Sequence, residues 1–426
     1  MSITGCTLVA LGGAASNEAP LRGPDQEGGV GSTPAAARKP HPSPRPDEEG
    51  TLGLVTLKAD VCISYAEDSR LRTRRAYPWQ LYLAEKIPVK LDVGMLTHDL
   101  KTTPDYARNI EAKGYDCLWS SETQHNPYLP LAIAATTTSR IKLGTNIATV
   151  FSRSPMITAH IAWDLAKASD GRFTLGLGTQ VKAHNERRFS VKFESPGPKM
   201  AEAIHAIRAI WDCWQNGTRL NFKGQFYTFD VMTPFFNPGA IDHPKIPIFI
   251  AAVNPYMCGV AGELCEGVHV HPFNSPKYLR EIVHPAVESG LRKSGRSRKD
   301  FTFATTSFVV VGDTEKERAE QARMVKQQIA FYASTRTYEP VLAVHGWQDL
   351  AQKLHRKSVE GDWQGMADLI SDEMLDTYAV TATYDKLRDK LVERYEGLLD
   401  RTALYQPYLP NLDDPRLPAV IRAFNG

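Results

Sequence analysis

The chain has 426 residues, of which 42% are hydrophobic, a length that suits one large domain or two of ordinary size. Its 50 basic and 48 acidic residues leave a formal net charge of +2. This balance predicts neither a nucleic-acid partner nor attachment to an anionic membrane. No stretch approaches the roughly 20 apolar residues that a membrane span needs. We therefore expect a cytoplasmic protein.

The first 50 residues are rich in Gly, Pro, Ala and charge, a composition that buries too little apolar surface to offset its ordering entropy. We expect residues 1–85 to be a poorly ordered extension and residues 86–426 to form the folded domain. A short apolar stretch at 8–11 resembles a signal peptide, but it lacks a basic leading region. The cysteines are scattered without a Cys-x-x-Cys pair, which predicts free thiols: Cys6, Cys62, Cys117, Cys213, Cys258 and Cys265.

From residue 89 onward, short β-rich runs alternate with helical runs, as in parallel α/β folds. The first helix begins near Thr103-Pro104 and ends before Gly114, and a long amphipathic helix precedes Gly217. Thr314 and Glu317 form a capping box that starts another helix. Eight strands are predicted, at residues 89–96, 115–120, 141–150, 172–178, 246–252, 267–271, 301–311 and 401–405.

Two insertions interrupt this alternation. The first, at residues 218–245, contains a predicted hairpin at 222–229, and the second, at 335–399, is predicted to be mostly helical. Eight parallel strands favour a (β/α)8 TIM barrel over an open doubly wound sheet. The first strand is also not followed by a Gly-x-Gly-x-x-Gly turn, which argues against a dinucleotide-binding sheet.

Ligands of such barrels bind at the C-terminal ends of the strands. Gly178 ends the fourth strand and is followed by the polar residues Thr179 and Gln180. A glycine at this place lets the backbone approach a bound group. Small Ala252 ends the fifth strand, and Asn254 then precedes a helix whose first turn can hold a phosphate.

Several motifs occur in a fixed order: Leu143-Gly144-Thr145-Asn146-Ile147-Ala148-Thr149, Arg153-x-Pro155, Ser169-Asp170-Gly171-Arg172-Phe173, Phe222-x-Gly224-x-Phe226-Tyr227 and Ile248-x-Ile250-Ala251-Ala252. This order resembles the luciferase-like oxidoreductases of the bacterial luciferase superfamily over about residues 89–410. Within that superfamily, the chain is most similar to the actinobacterial branch that uses coenzyme F-420, a deazaflavin.

The resemblance implies a barrel of the bacterial luciferase type, with a flavin or deazaflavin across its C-terminal mouth. It also implies a non-proline cis peptide at the end of the third strand, which we expect within Asn146 to Thr149. Together with the residues at the strand ends, it predicts ten cofactor-binding positions: Glu122, Asn146, Ile147, Thr149, Gly178, Thr179, Gln180, Ala252, Val253 and Asn254.

The chain departs from the sugar-phosphate dehydrogenases that this family contains. Those enzymes place an Asp-His pair after the second strand and a Glu after the fourth, where this chain has Glu122-Thr123 and Val181. Valine neither gives nor takes a proton, so His125 and His184 become the candidate catalytic residues. The alternative is that each histidine caps a loop or contacts the cofactor.

His269 and His271 share one face of the sixth strand, but no third ligand stands at a suitable spacing, so no metal is expected. Three functions stay open. The first is an F-420-dependent oxidoreductase of a small organic substrate, which basic Lys182, Arg187 and Arg188 favour as partners for the coenzyme's polyglutamate tail. The second is an FMN-dependent monooxygenase served by a separate reductase, and the third is a non-catalytic flavin-binding barrel. Phe235-Phe236 hints at an apolar substrate, and a homodimer is left open.

Overall fold

The computed structural model describes residues 89–95, 99–405 and 411–426. The predicted N-terminal extension, Cys6, Cys62 and the end of the predicted first strand lie outside these residues. The other four cysteines are free and buried, as predicted. Within the described part of the chain, no helix has the length and apolarity to cross a membrane.

Twelve strands occur among the described residues, and they are numbered here in chain order. They are β1 Lys90–Gly94, β2 Cys117–Ser120, β3 Lys142–Thr145, β4 Ala148–Thr149, β5 Phe173–Gly178, β6 Phe222–Lys223, β7 Thr228–Phe229, β8 Ile248–Ala252, β9 Gly267–Val270, β10 Thr302–Val311, β11 Ala379–Ala382 and β12 Arg401–Tyr405. Eight of them pair in parallel in the order β1-β2-β3-β5-β8-β9-β10-β12, and β12 pairs with β1 to close the ring. The predicted (β/α)8 barrel is therefore confirmed.

Helices connect the barrel strands and cover the outside of the barrel. They are α1 Thr103–Lys113, α2 Tyr128–Thr137, α3 Pro155–Ala168, α4 Pro196–Asn216, α5 Pro255–Leu264, α6 Pro276–Tyr278, α7 His284–Lys293, α8 Glu315–Ala333, α9 Glu339–Ala343, α10 Gln348–Glu360, α11 Trp363–Ala367, α12 Asp372–Tyr378, α13 Leu387–Tyr395 and α14 Leu417–Asn425. The Thr314 and Glu317 capping box is present at the start of α8. Gly217 ends α4 in the left-handed conformation, at φ 66°, which glycine adopts without steric cost.

Two elements differ from the sequence-based predictions, a divided strand and an additional strand. The predicted strand at 141–150 is divided into β3 and β4, because the backbone turns at a cis peptide between them. The first insertion carries the predicted hairpin, β6 with β7. The second insertion is mostly helical as expected, but its strand β11 was not predicted, and it pairs with the end of β10 that projects beyond the barrel.

Inside the barrel, inward-facing side chains of β1, β2 and β12 form a polar network. Asp92 of β1 accepts a hydrogen bond of 2.8 Å from Trp119 Nε1. It also accepts bonds of 3.0 and 2.6 Å from the Arg401 guanidinium. Since side chains alternate along a strand, these inward-facing residues show which later residues of β1 and β12 face the mouth: Gly94 and Tyr405.

Candidate active site at the C-terminal mouth

The two sides of the C-terminal mouth differ in how closely they are packed. At Gly94, which ends β1 and faces inward, a Cβ atom would meet no atom within 4 Å. The backbone of Gly178, across the mouth at the end of β5, is close-packed instead, since a Cβ there would lie 2.5 Å from Cδ1 of Ile147. One side of the mouth is thus open and the other is a tightly packed backbone surface.

The packed surface is the segment between β3 and β4. The Asn146–Ile147 peptide is cis, which confirms the prediction for this segment. Its two carbonyl groups are held by the loop after β2: the Ser121 hydroxyl donates to the Asn146 carbonyl at 2.5 Å, and the Glu122 amide donates to the Ile147 carbonyl at 3.0 Å. Asn146 and Ile147 are half-buried, so this segment faces the mouth as the sequence predicted.

Glu122 is buried, with 7% of its surface exposed, and its carboxylate is bound within the protein. Arg153 donates to both carboxylate oxygens, at 2.7 and 2.8 Å, and the Thr149 amide donates to one of them at 2.6 Å. Charge-assisted bidentate bonds of this kind fix geometry. Glu122 therefore joins the loops after β2 and β4. The Thr149 hydroxyl is buried and has no hydrogen-bond partner within the described structure, which leaves it available to a ligand.

The loop after β5 is shaped by one buried amide. Asn185 Nδ2 donates to the carbonyls of Thr179 and Val181, at 2.8 and 3.1 Å. Gln180 between them adopts a positive φ of 56°, and Thr179 and Gln180 stay half-buried. The loop then continues into a π-helical turn at His184–Arg188, a geometry that often occurs at functional sites.

The loop after β8 has fewer free donors than the sequence suggested. Asn254 caps α5, accepting a 2.9 Å hydrogen bond from the Met257 amide, and the Cys258 amide is bonded to the Asn254 carbonyl. Pro255, the first residue of α5, has no N–H. Few backbone amides of this first turn therefore remain to bind a phosphate. The Val253 carbonyl accepts a 2.7 Å bond from the Tyr278 hydroxyl. Ala252 packs its methyl group into the core between barrel and helices, with 2% exposed.

The two candidate catalytic histidines lie on loops that touch each other. His125, in the loop after β2, is exposed, and His184 is half-buried. Arg188 of the same π-helical turn as His184 donates to the Thr123 carbonyl of the first loop. Partial burial and the positive charge of Arg188 lower the pKa of His184. A neutral imidazole can accept a proton, so this chemistry is within reach of His184.

His269 and His271 both point into the barrel, but aromatic rings surround them. His269 is buried with its ring 4.7 Å from Trp119, and His271 stacks on Tyr338 at 4.3 Å. Within the described residues, no group of three or more His, Cys, Asp or Glu side chains is placed to hold a metal ion.

Sequence reasoning missed the side of the mouth that β10 and β12 form. Tyr405 ends β12, and its hydroxyl lies 2.9 Å from that of Tyr332 in the last turn of α8. The position of Tyr405 at a strand end was a usable signal, since the strand-end rule applies to the eighth strand as to the others. Tyr332 gave no signal, because helical periodicity does not show which residue of α8 reaches the mouth.

The closed ring of eight parallel strands places the chain among the (β/α)8-barrel proteins. More specifically, the chain belongs to the luciferase-like monooxygenase family, whose model matches residues 83–402. It is 45% identical over 313 residues to an uncharacterized protein of Mycobacterium tuberculosis, covering 74% of this chain and 92% of that one.

Reductases are also among the proteins to which the chain is similar. A 5,10-methylenetetrahydromethanopterin reductase of Archaeoglobus fulgidus is 31% identical over 314 residues, which cover 72% of this chain and 90% of the reductase. The solved structure of the coenzyme F-420-dependent tetrahydromethanopterin reductase of Methanopyrus kandleri superposes with a TM-score of 0.65 at 22% identity, over 79% of this chain and 99% of that one. This superposition supports the fold.

Proposed function

We propose that this protein is a coenzyme F-420-dependent oxidoreductase that moves a hydride to or from a small organic substrate at the C-terminal mouth. The observation that carries the proposal is the 31% identity to a methylenetetrahydromethanopterin reductase over most of both chains. A structural relative with the same kind of activity is named as F-420-dependent.

The residues at the mouth fit a flat tricyclic cofactor. The open space in front of Gly94 leaves room for a ring, and the unpartnered, buried Thr149 hydroxyl offers it a hydrogen bond. In this proposal Asn146, Ile147 and Gly178 support the ring through their backbone. When bound, the deazaflavin supplies hydride chemistry, while the protein holds it and provides a proton partner.

The loop after β5 would hold the negatively charged tail of F-420. Lys182 is 70% exposed at its side chain and makes only a long 3.9 Å contact with Glu186, and Arg187 is exposed as well. Arg188 is committed to the Thr123 carbonyl, so we assign the tail to Lys182 and Arg187. Exposed charges of this kind act through a screened attraction, which falls as salt rises.

Cofactor titration tests this function. The fluorescence of F-420 should be quenched when F-420 binds to the purified protein. F-420 should also bind more tightly than FMN. The double variant Lys182→Ala, Arg187→Ala should bind F-420 several-fold more weakly at low salt. Its affinity for a deazaflavin without the tail should be unchanged. FMN could instead bind more tightly and support an oxygen-dependent turnover that needs an added reductase. This result would contradict the proposal and support an FMN-dependent monooxygenase, the activity for which the family is named. Binding without turnover of any acceptor would instead support the non-catalytic barrel.

We also propose that residues 86–426 form one domain and that the chain is a homodimer. The family match begins at residue 83, which supports the domain boundary. Leu129 of α2 and Ile157 of α3 are 53% and 51% exposed on neighbouring helices, and exposed apolar patches favour association. Sedimentation of the wild type beside a Leu129→Glu, Ile157→Glu variant tests the dimer, which the double charge should split into monomers.

A further inference from the structure

Five rings lie together on the side of the mouth between β9 and β12, and together they are named the aromatic wall: His271, Phe308, Tyr332, Tyr338 and Tyr405. Phe308 is fully buried, and the other four rings are half-buried. His271 directly follows β9, Phe308 lies in β10 and Tyr405 ends β12. Phe308 and Tyr405 are partners in the strand register. Tyr332 and Tyr338 come from the end of α8 and the turn after it. The wall therefore joins three barrel strands to the start of the second insertion.

The contacts within the wall hold His271 as a fixed, neutral ring. Its ring stacks on Tyr338 at 4.3 Å and meets Tyr332 edge-on at 4.5 Å. Its Nδ1 accepts a 3.1 Å hydrogen bond from the Phe273 amide, so the proton of the neutral ring sits on Nε2. Burial lowers the pKa of His271 to about 3. His271 thus orients the neighbouring tyrosines and carries no charge at neutral pH.

The two tyrosine hydroxyls form a pair with one proton left over. Tyr332 and Tyr405 share a single hydrogen bond of 2.9 Å, which uses one of their two hydroxyl protons. Either hydroxyl can be the donor in this bond, and we assign the proton that is left over to Tyr405 because Tyr405 ends a barrel strand at the mouth. Burial raises the pKa of both phenols, which keeps them protonated at neutral pH.

We propose that the aromatic wall binds the substrate as a planar heteroaromatic ring, and that the Tyr405 hydroxyl donates a hydrogen bond and then its proton to a ring nitrogen or oxygen. The inference rests on the proposed function, because it places the substrate opposite a hydride carrier. Offset and edge-on ring contacts favour a flat ligand at such a wall. The five rings carry no net charge, which suits an uncharged substrate.

The reduction of a ring with a C=N bond takes up one hydride and one proton. A bound reduced deazaflavin or flavin would supply the hydride, which would form a new C–H bond while the π-electron pair of the C=N bond moves onto nitrogen. The Tyr405 O–H bond breaks and an N–H bond forms, so the substrate gains two electrons and two hydrogens. The tyrosinate keeps its hydrogen bond from Tyr332, and water returns the proton. Tyr332 acts through Tyr405 and is a positioning residue.

A binding experiment without any cofactor tests the hydrogen bond. The probes are acridine, whose ring nitrogen accepts a hydrogen bond, and 10-methylacridinium, whose nitrogen cannot; both are followed by their own fluorescence. Because Tyr405→Phe removes one hydrogen bond, it should weaken the binding of acridine by about fivefold. The affinity for 10-methylacridinium should stay within twofold of the wild-type value. Tyr378→Phe is the matched control, because the Tyr378 hydroxyl donates to the Val341 carbonyl inside the helical insertion. It should change neither affinity.

The same pair of probes tests whether Tyr405 donates a proton during reduction. Acridine needs a proton when it accepts a hydride and 10-methylacridinium does not, so Tyr405→Phe should slow acridine reduction by about 100-fold and spare the other acceptor. Tyr332→Phe should show the same preference at about tenfold. Equal losses for both probes, or a wild type that does not bind acridine, would overturn the proposal. Since the binding arm uses no cofactor, a failure to bind F-420 would count against the proposed function alone.

Discussion

The buried histidines make the stability of this protein sensitive to mild acid. The clearest case is His284 in α7, which is 3% exposed and stacks on Phe303 at 4.1 Å with ring planes 7° apart. Its Nε2 is bonded to the Leu398 carbonyl at 2.9 Å. Burial lowers the pKa of His284 from 6.5 to about 4, and burial in the barrel lowers that of His269 to about 3.

Proton linkage decides whether acid raises or lowers the free energy of unfolding. Below pH 6.5 the unfolded chain protonates these histidines, while the folded protein does not until the pH reaches the lowered pKa. The free energy of unfolding therefore falls with pH in this window, by up to about 1.4 kcal/mol per pH unit for each histidine. Between pH 6.5 and 5.5, His284 removes about 1 kcal/mol, a sizeable part of the stability of a typical domain.

Substitution His284→Gln isolates this contribution, because an amide can still donate to the Leu398 carbonyl but does not titrate. We expect the variant to be less stable than the wild type at pH 7.5, since the stack on Phe303 is lost. The difference in stability between variant and wild type should narrow by about 1 kcal/mol per pH unit as the pH falls from 6.5 to 5. Urea unfolding followed by tryptophan fluorescence measures it, with exposed His205→Gln as the control for the loss of a histidine. A gap that stays constant with pH would refute the reasoning.

The remaining predictions concern the mouth. Gly94→Ala should leave the unfolding midpoint unchanged, because the added methyl meets open space, yet weaken cofactor binding in a fluorescence titration. Gly178→Ala should lower stability by about 1–3 kcal/mol in urea unfolding through overpacking. Glu122→Gln leaves the half-buried Arg153 without its charged partner, so denaturant unfolding should show a loss of up to about 3 kcal/mol; unchanged stability would contradict this. His184→Ala or His125→Ala should lower turnover at least tenfold with cofactor affinity within a few-fold, and a loss of affinity alone would mark them as contacts.

The fold was predictable because its signals are local and repeated. Each strand is a short apolar run bounded by turn residues, and eight such runs separated by helices leave few arrangements. The cis peptide between Asn146 and Ile147 was predictable only through the resemblance to luciferase-like oxidoreductases that the motifs carry. Strand β11 was not predictable, since its four residues Ala379–Ala382 are ordered by pairing with the extended end of β10 and follow a helix without a turn signal.

The site was predictable only where the backbone forms it. The segment after β3 and the loop after β5 lie at the mouth as expected, because strand ends of a barrel converge there. Side-chain partners were harder to foresee. The sequence does not show that the Glu122 carboxylate is taken by Arg153, or that Asn254 uses its own side chain to cap α5. Both depend on residues that meet only in the folded chain.

The two sides of the mouth therefore have different origins. The side built by β3, β4 and β5 consists largely of backbone that a fixed motif specifies, which suits a cofactor of constant shape. The aromatic wall draws Tyr332 and Tyr338 from the end of α8 and the turn beyond it, where the second insertion begins. Loops of a barrel change more readily than its strands. A change in the residues 335–399 can thus alter the substrate while the cofactor side of the mouth stays as it is.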